Sequence, residues 1–501
     1  MAFGGSVAGL WPVLAESFLG RTPAWYKATV AGALVLNVLV FLVVGPLATG
    51  WLILGEFIVT LAMALKCFPL QPGGLLALQA VVLGLTDPHA IYHEVEQGLP
   101  VLLLVIFMVA GVHFLRDLLF RLIGHLLVSV RSPLMLNMLV IVLVSVTSAF
   151  LDALTILAVL VAVTVSFYEV YHRAVSSLEG HDGATDGEPG IQEQLRRDLD
   201  QFRGLLRGLL MHGAIGTAIG GVCTLVGEPE NIVIGTAAGW DFVRFFVTAA
   251  PSTIPTLLAG FAVCWVIEKK QWFGYGAVLP ESVRAILLEE SNRLRDGRTA
   301  RDHLVLVTQA IVAILMVLGL ALHVAEIGLI GLAVIVVVSS IAGVTDEHRL
   351  AEAFMPGLPF ASLLVVFYVI VAMIGSLHMF DGIIQWALSL EPRQQVFMIF
   401  LSNGALSAIS DNVFVAAIYM KELEAAFDAG LTSRELFDAQ SVAVVMGTGI
   451  PSMSTPNGQA AFLYLLTSPI APLIRLGYGR MLWMALPYAV VTTLVAGATL
   501  I

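Results

Sequence analysis

Charge is scarce in this chain: 12% of its 501 residues are Asp, Glu, Lys or Arg, against 58% hydrophobic. That is about half the charge of a soluble globular protein. A soluble fold is excluded, because apolar runs of about 18 or more residues recur from end to end and mark a polytopic helical membrane protein. Cysteine is also scarce. Cys67, Cys223 and Cys264 lie far apart in or beside apolar sequence, so neither a disulfide framework nor a zinc site is supported. The first 27 residues lack the layout of a signal peptide, and Ala28 to Val44 is expected as a transmembrane helix rather than a cleaved segment. A net charge of −11 argues against a nucleic-acid partner. No cofactor and no enzymatic activity are expected.

What the apolar runs do contain is a few isolated polar groups. The stretch TSAFLDALT, Thr147 to Thr155, lies within the apolar run 132–172 and holds its one deep carboxylate, Asp152. A carboxylate at that depth costs at least about 2.5 kcal/mol, so function is the default explanation. LSAISDNVF, Leu406 to Phe414, repeats the pattern with Asp411.

At about 20 residues per crossing, helices are expected near 28–45, 47–66, 68–85 and 100–115, then within 132–172, 204–239, 240–268, 303–322, 324–343, 358–376, 380–420, 438–472 and 481–501. The two Asp runs, 132–172 and 380–420, are each long enough for two half-length helices meeting at a tip, as a re-entrant hairpin. The runs 204–239 and 438–472 contain TLVGEPEN and SMSTPNGQ, where proline and glycine should unwind a crossing helix. With the N-terminus cytoplasmic and the C-terminus periplasmic, every Lys and Arg falls inside except Arg244, Arg393, Lys421 and Arg434, as the positive-inside rule requires. Residues 173–203, with GHDGATDGEPG, read as a flexible cytoplasmic linker, and 269–302 as a second cytoplasmic loop.

The chain is also a duplication. GLTDPH matches GVTDEH, Gly98-Leu99-Pro100 matches Gly357-Leu358-Pro359, and Ser148, Ala149 and Asp152 match Ser407, Ala408 and Asp411. From 84 to 343, 98 to 357 and 152 to 411 the separation is the same 259 residues. Five expected crossings between the copies make the repeat inverted. The expected fold is therefore an all-α polytopic membrane protein: an inverted-topology repeat with two re-entrant hairpins, two broken transmembrane helices and about 11 crossings. Its parts are N-terminal scaffold helices over 1–83 and repeat 1 over 84–268, then the loop 269–302. A preceding helix and repeat 2 fill 303–501.

Inverted repeats with broken helices are transporter architecture, with the site where the interruptions meet. Ser148, Asp152, Thr155, Ser407, Ser410, Asp411 and Asn412 would come from the hairpin tips. Thr224, Glu228, Asn231, Ser454, Thr455 and Asn457 would come from the broken helices. All offer oxygen, which suits a hard cation. Glu228 could equally cap its neighbouring backbone. Glu56 is expected as a paired polar group of the scaffold or an interface, and Asp87 and Asp346 as helix caps. His113, His212, Glu326, His378 and Asp381 are expected near helix ends or next to glycine, with His212 also a candidate pH-sensing group.

On these residues the chain resembles the NhaB family of bacterial sodium/proton antiporters, within the wider ion transporter superfamily. The matching stretches are TLAMALKCFPLQPGGLLALQ (60–79), FLDALT (150–155), VGEPEN (226–231), WFGYG with LPESVR (272–284), GVTDEH (343–348), SDNVF (410–414) and TPNGQAAFLYLLTSPIAPLIRLGYGRMLWMALPY (455–488). The resemblance implies electrogenic exchange of cytoplasmic Na⁺ and Li⁺ for external protons at a bacterial inner membrane, serving pH and sodium homeostasis. It also implies a homodimer whose transport part moves like an elevator. The family aspartates fall on Asp152 and Asp411, and the superfamily asparagines on Asn231 and Asn457, so Na⁺ is expected at these four. Glu230 stands where a neutral residue is expected.

The expected mechanism is competition: burial disfavours an ionised carboxylate, so Asp152 and Asp411 hold protons until Na⁺ displaces them. Two alternatives carry weight. A dicarboxylate or arsenical carrier of the same superfamily would want Arg or half-helix N-termini at its tips, which here present Asp. An intramembrane aspartyl hydrolase would use the paired acids, but the Ser, Thr and Asn beside each Asp fit ion coordination better.

Overall fold

The computed structural model describes residues 13–151, 153–181, 189–297, 299–380, 382, 386 and 389–500. Asp152, Asp381 and residues 182–188 of the acidic linker lie outside the described residues. Among the described residues there are helices and turns and no β-strand.

In chain order the helices are α1 (Ala24–Val43), α2 (Pro46–Ala62), α3 (Leu70–Val82), α4 (Pro88–Gln97) and α5 (Leu99–His113), which has a π-helical stretch at Leu104–Met108. Next come α6 (Arg116–Ser129), α7 (Pro133–Ser148), α8 (Ala153–His181), α9 (Pro189–Gly221), α10 (Pro229–Ala238), α11 (Phe242–Lys270) and α12 (Glu281–Asp296). Then follow α13 (Ala300–Ala321), α14 (Ile327–Ala342), α15 (Glu347–Phe354), α16 (Leu358–Ser376), α17 (Pro392–Ser407) and α18 (Asn412–Asp428). The last are α19 (Arg434–Gly449), a 3₁₀ turn (Pro451–Ser454), α20 (Ala460–Thr467), α21 (Ile470–Leu473) and α22 (Tyr478–Leu500).

Local chemistry sets many of these boundaries. Pro46, Pro88, Pro133, Pro229 and Pro392 each open a helix, where the missing N–H is not needed. The duplicated loop aspartates are caps, as expected. Asp87 Oδ1 accepts from the amides of His89 at 2.8 Å and Ala90 at 3.0 Å, and Asp346 Oδ1 accepts from His348 at 3.1 Å.

Among the described residues, six helices are long and apolar enough to cross a membrane, and seven if α4 and α5 count as one span. The shorter apolar helices α2, α3, α7 and α14 fall below that length. A 16-residue helix such as α7 reaches about 24 Å, short of a hydrocarbon core of about 30 Å. The chain is thus a multi-pass membrane protein whose helices are repeatedly cut short by proline and glycine.

The chain forms two compact units. One comprises Met1–Leu99 with Pro359–Ala387 and so holds α1 to α4 and nearly all of α16. Phe57 and Phe367 meet edge to face at 5.9 Å, and the Tyr368 hydroxyl donates to Gly98 O at 3.2 Å. Glu56 is a paired polar group, as expected. Its Oε2 accepts from Asn37 Nδ2 at 2.7 Å, which also donates to Gln79 Oε1 at 2.9 Å.

The other unit, Pro100–Leu358 with Leu388–Ile501, carries both Asp stretches and both interrupted helices. Two details there go beyond the expected outline. The arms of the first Asp run are unequal: α7 has 16 residues, but α8 has 29, and its Ala153–Arg173 portion could cross alone. No proline or glycine interrupts that portion, so nothing stops the helix at half length. The expected flexible linker 173–203 is also helical up to His181 and again from Pro189. Its second half, QEQLRRDLDQ, is composed of good helix formers.

The loop 269–302, whose role composition left open, carries α12 with Val283 and Leu287 buried. Ser282 Oγ donates to Asp198 Oδ2 on α9 at 2.6 Å.

Candidate ion-binding site

The first broken helix is α9 followed by α10. Helix α9 stops at Gly221, and Glu228, in extended conformation, occupies the N-cap position of α10 without a side-chain cap bond. Gly221 is needed there, because a Cβ on it would lie 2.8 Å from both Cγ and Oε1 of Glu228. The Glu228 carboxyl therefore folds back over the end of α9. Asn231, with no exposed surface, holds the gap closed: its Nδ2 donates to Gly221 O at 2.9 Å and Thr224 O at 2.7 Å. Both amide hydrogens are spent, and Asn231 Oδ1 is buried without a hydrogen-bond partner.

The second broken helix runs from α19 through the 3₁₀ turn to α20. Here Gln459 Nε2 donates to Gly449 O at 3.0 Å and to Ser452 Oγ at 2.9 Å. Its acceptors lie ten and seven residues back, the same spacings as for Asn231. The hydrogen-bonding counterpart of Asn231 is thus Gln459, where the resemblance had paired Asn231 with Asn457. The physical reason is position: Gln459 immediately precedes α20 and faces the end of α19, whereas Asn457 lies within the unwound stretch. Asn231→Leu and Gln459→Leu should each lower thermal stability, by about 1 to 2 kcal/mol for the loss of two buried hydrogen bonds. A thermal-shift series in detergent checks this.

Each break is tied to the tip of its own Asp stretch. The Thr224 hydroxyl donates to Ala149 O, and the Thr455 hydroxyl to Ala408 O. Ser148 Oγ donates to Thr217 O at 3.1 Å, and Ser407 Oγ to Asn403 Oδ1 at 3.2 Å. The hydroxyl protons of these four expected ligands are therefore engaged, three of them in joining separate segments and that of Ser407 within α17, leaving oxygen lone pairs. Thr155 lies in the first turn of α8 and Ser454 in the 3₁₀ turn.

At the second tip Asp411 caps α18, its Oδ1 accepting from the amides of Val413 at 2.9 Å and Phe414 at 3.2 Å. Beside it, Ser410 Oγ and Asn412 Oδ1 are buried without partners. Asn412 Nδ2 donates to Glu230 Oε1 at 3.1 Å, so the first broken helix meets the second Asp tip directly. Glu230 is only 3% exposed and was missing from the expected ligands. The signal that could have found it is its place two residues after Glu228, a second acid in the same apolar surroundings.

The structure thus gathers Asn231, Glu230, Asn412, Ser410 and Asp411 along one seam. Among the described residues no cluster of His, Cys, Asp and Glu has the makings of a tight metal site. Amide and hydroxyl oxygens whose hydrogens are engaged or absent offer lone pairs to a weakly held hard cation.

His212, next to Gly213, lies well inside α9 and is fully buried. Its Nε2 is 2.8 Å from Glu268 Oε1, its Nδ1 is 2.8 Å from the Tyr488 hydroxyl, and its ring stacks on Tyr275 at 4.5 Å. Tyr275 belongs to the WFGYG stretch, so that loop packs against the middle of the broken helix.

The family model for bacterial Na⁺/H⁺ antiporter B (NhaB) matches residues 10–500. The chain is 52% identical over 479 residues to the Na(+)/H(+) antiporter NhaB of Pseudomonas entomophila (strain L48), spanning 95% of this chain and 96% of that protein. It is likewise 52% identical to the proteins of that name from Marinobacter nauticus, over 478 residues, and Saccharophagus degradans, over 477, with 95% of each chain covered in both cases. With similarity running from end to end, and the motifs at both breaks and both tips inside the matched region, this chain belongs to the bacterial Na⁺/H⁺ antiporter B (NhaB) family.

Proposed function

We propose that this chain is an electrogenic Na⁺/H⁺ antiporter, which extrudes cytoplasmic Na⁺, and Li⁺ with it, in exchange for external protons across a bacterial inner membrane. The observation that carries the cation site is the set of buried, unpartnered oxygens, Asn231 Oδ1, Asn412 Oδ1 and Ser410 Oγ, beside Asp411. Buried polar atoms are nearly always paired. Oxygen acceptors of this kind suit coordination of a hard cation.

The architecture that goes with this reading is an inverted repeat of about eleven crossings. The tips α7–α8 and α17–α18 enter from opposite faces, and the breaks α9–α10 and α19–α20 lie between them. The N-terminus is cytoplasmic, the C-terminus periplasmic, and the unit holding α1 to α4 serves as the scaffold of a homodimer. Sodium is held by Asp152 and Asp411 with Asn231, and by Asn457 or Gln459 from the second break. Ser148, Thr155, Ser407, Thr224, Glu228, Ser454 and Thr455 line its approach.

Protons and sodium compete for the carboxyls: a protonated Asp is tolerated by its apolar surroundings, and Na⁺ stabilises the ionised form and releases the proton. If more protons enter than sodium ions leave, the membrane potential contributes about 2.3 kcal/mol per net charge per 100 mV.

Acid-loaded everted vesicles provide the test, with NaCl, LiCl and KCl added in turn. Na⁺ and Li⁺ are expected to discharge the proton gradient, and K⁺ to leave it intact. An equal response to all three, or flux driven by a dicarboxylate, would overturn the assignment.

A further inference from the structure

One buried acid–base pair takes no part in the competition for sodium. Glu268 of α11 meets His212 of α9, its Oε1 lying 2.8 Å from Nε2. Glu268 Oε2 is buried without a hydrogen-bond partner, so His212 is the donor on which this carboxylate relies. Across the ring, Nδ1 lies 2.8 Å from the Tyr488 hydroxyl of α22. Tyr275 stacks on the ring at 4.5 Å, and Cys264 Sγ of α11 is 4.0 Å from Nε2. Among the described residues these four are the titratable groups that meet the ring. Helices α7 and α8 present apolar side chains to α9 at Gly216 and at the adjoining Gly213.

This enclosure accepts two charge states. A tyrosine hydroxyl donates or accepts, so Nδ1 stays bonded whether or not it carries hydrogen. Neutral His212 donates from Nε2 to Glu268 and leaves a net negative charge in the interior. Protonated His212 donates from both nitrogens, and its bond to Glu268 becomes charge-assisted at both ends, the stronger of the two arrangements. The pair also reaches both breaks. From His212, α9 runs about 14 Å to its end at Gly221, where the first break opens. One turn beyond Tyr488, the Thr492 hydroxyl lies 3.9 Å from Met453 Sδ, in the 3₁₀ turn of the second break.

We propose that His212 is a positioning residue for transport: protonated, it clamps α9 to α11 and α22 and slows the movement of the two broken helices, and loss of its proton at alkaline pH releases them. This rests on the antiport reading above. The proton on His212 is not among those exchanged for sodium, so the clamp governs rate and leaves stoichiometry alone.

A rate at saturating Na⁺ isolates the clamp, because competition between protons and sodium at the carboxyls acts on KM. The full chain is reconstituted in liposomes, with equal pH on both sides before a sodium gradient is imposed. In wild type the saturated rate is expected to rise about tenfold between about pH 6.5 and 8.5, the range in which histidine titrates. His212→Gln keeps a donor for Glu268 but cannot hold the extra proton. Its rate should stay within about twofold of the wild-type alkaline rate throughout, with the voltage at which sodium and proton gradients balance unchanged. Glu268→Gln removes the counter-charge, so its step should move to lower pH. A wild-type step in His212→Gln would overturn the proposal. Where His212→Gln fails to fold, an unmoved step in Glu268→Gln has the same force. In protein labelled with ¹⁵N-histidine, the imidazole resonance absent from His212→Gln should titrate over the same range, and a resonance constant from about pH 6 to 9 would also overturn the proposal. Wild-type liposomes showing no sodium-driven proton movement at any pH would instead remove the antiport reading, and the resonance would still report whether His212 gains and loses its proton.

Discussion

Asp411→Asn is expected to abolish sodium-driven proton flux while leaving the protein folded. The two effects separate because the proposed mechanism gives Asp411 a second task besides the cap. Its Oδ1 caps α18 through the amides of Val413 and Phe414, and asparagine caps as well as aspartate, so helix stability should change by no more than about 0.5 kcal/mol. What asparagine lacks is the exchangeable proton and the negative charge that Na⁺ needs. A drop of at least about a hundredfold is expected, since losing a charge-assisted ligand in low dielectric costs about 3 kcal/mol or more. Everted-vesicle flux and a thermal-shift curve on the same preparation check it. Wild-type flux in Asp411→Asn and in Asp152→Asn would remove both acids from the mechanism. Loss of flux with an equally large loss of thermal stability would make Asp411 a cap and no more.

The second large effect concerns folding. Gly220→Ala should destabilise the protein by about 3 kcal/mol, and larger side chains there should prevent its recovery as a monodisperse species. A Cβ on Gly220 would lie 2.1 Å from Ser145 O and 2.5 Å from Ser145 Cα. Both atoms are backbone, so no rotamer change relieves the overlap, and α7 and α9 must separate. The same close approach recurs one turn earlier, where a Cβ on Gly216 would lie 3.1 Å from Ile141 O. This is the small-residue packing that membrane helices rely on, in the absence of a hydrophobic driving force between them. Gly32→Ala on α1 is the control. Nothing lies within 4 Å of a Cβ there, so it should be neutral or gain up to about 1 kcal/mol of helix propensity. Size-exclusion profiles and melting curves of the three variants distinguish these outcomes.

The two expectations differ in where they could be read. Asp411 is visible in the linear chain, because one acid in a long apolar run is anomalous by composition alone and its copy 259 residues earlier repeats the anomaly. Gly220 is not. Among 46 glycines, nothing in the sequence marks which one faces a carbonyl of another helix. The breaks at TLVGEPEN and SMSTPNGQ were legible because proline and glycine act locally on the helix that contains them. The amide that closes the second break was not: the resemblance paired Asn457 with Asn231, and Gln459 matches Asn231 by bonding to acceptors ten and seven residues back. The length of α8 was also legible locally, since no proline or glycine follows Ala153 through Arg173.

By itself, then, the sequence determined the class of protein, the duplication, the two acidic tips and the two interrupted helices, since each follows from hydropathy or from residues that act on their own backbone. Only the tertiary structure decided that Gln459 does the work of Asn231, that His212 is enclosed by Glu268, Tyr275 and Tyr488, and that Glu230 faces Asn412 across the seam. The last two join distant parts of the chain: 182 positions separate Glu230 from Asn412 and 276 separate His212 from Tyr488. Hydrogen bonds of that kind depend on where helix ends meet in space, and helix packing sets that position where local propensity cannot.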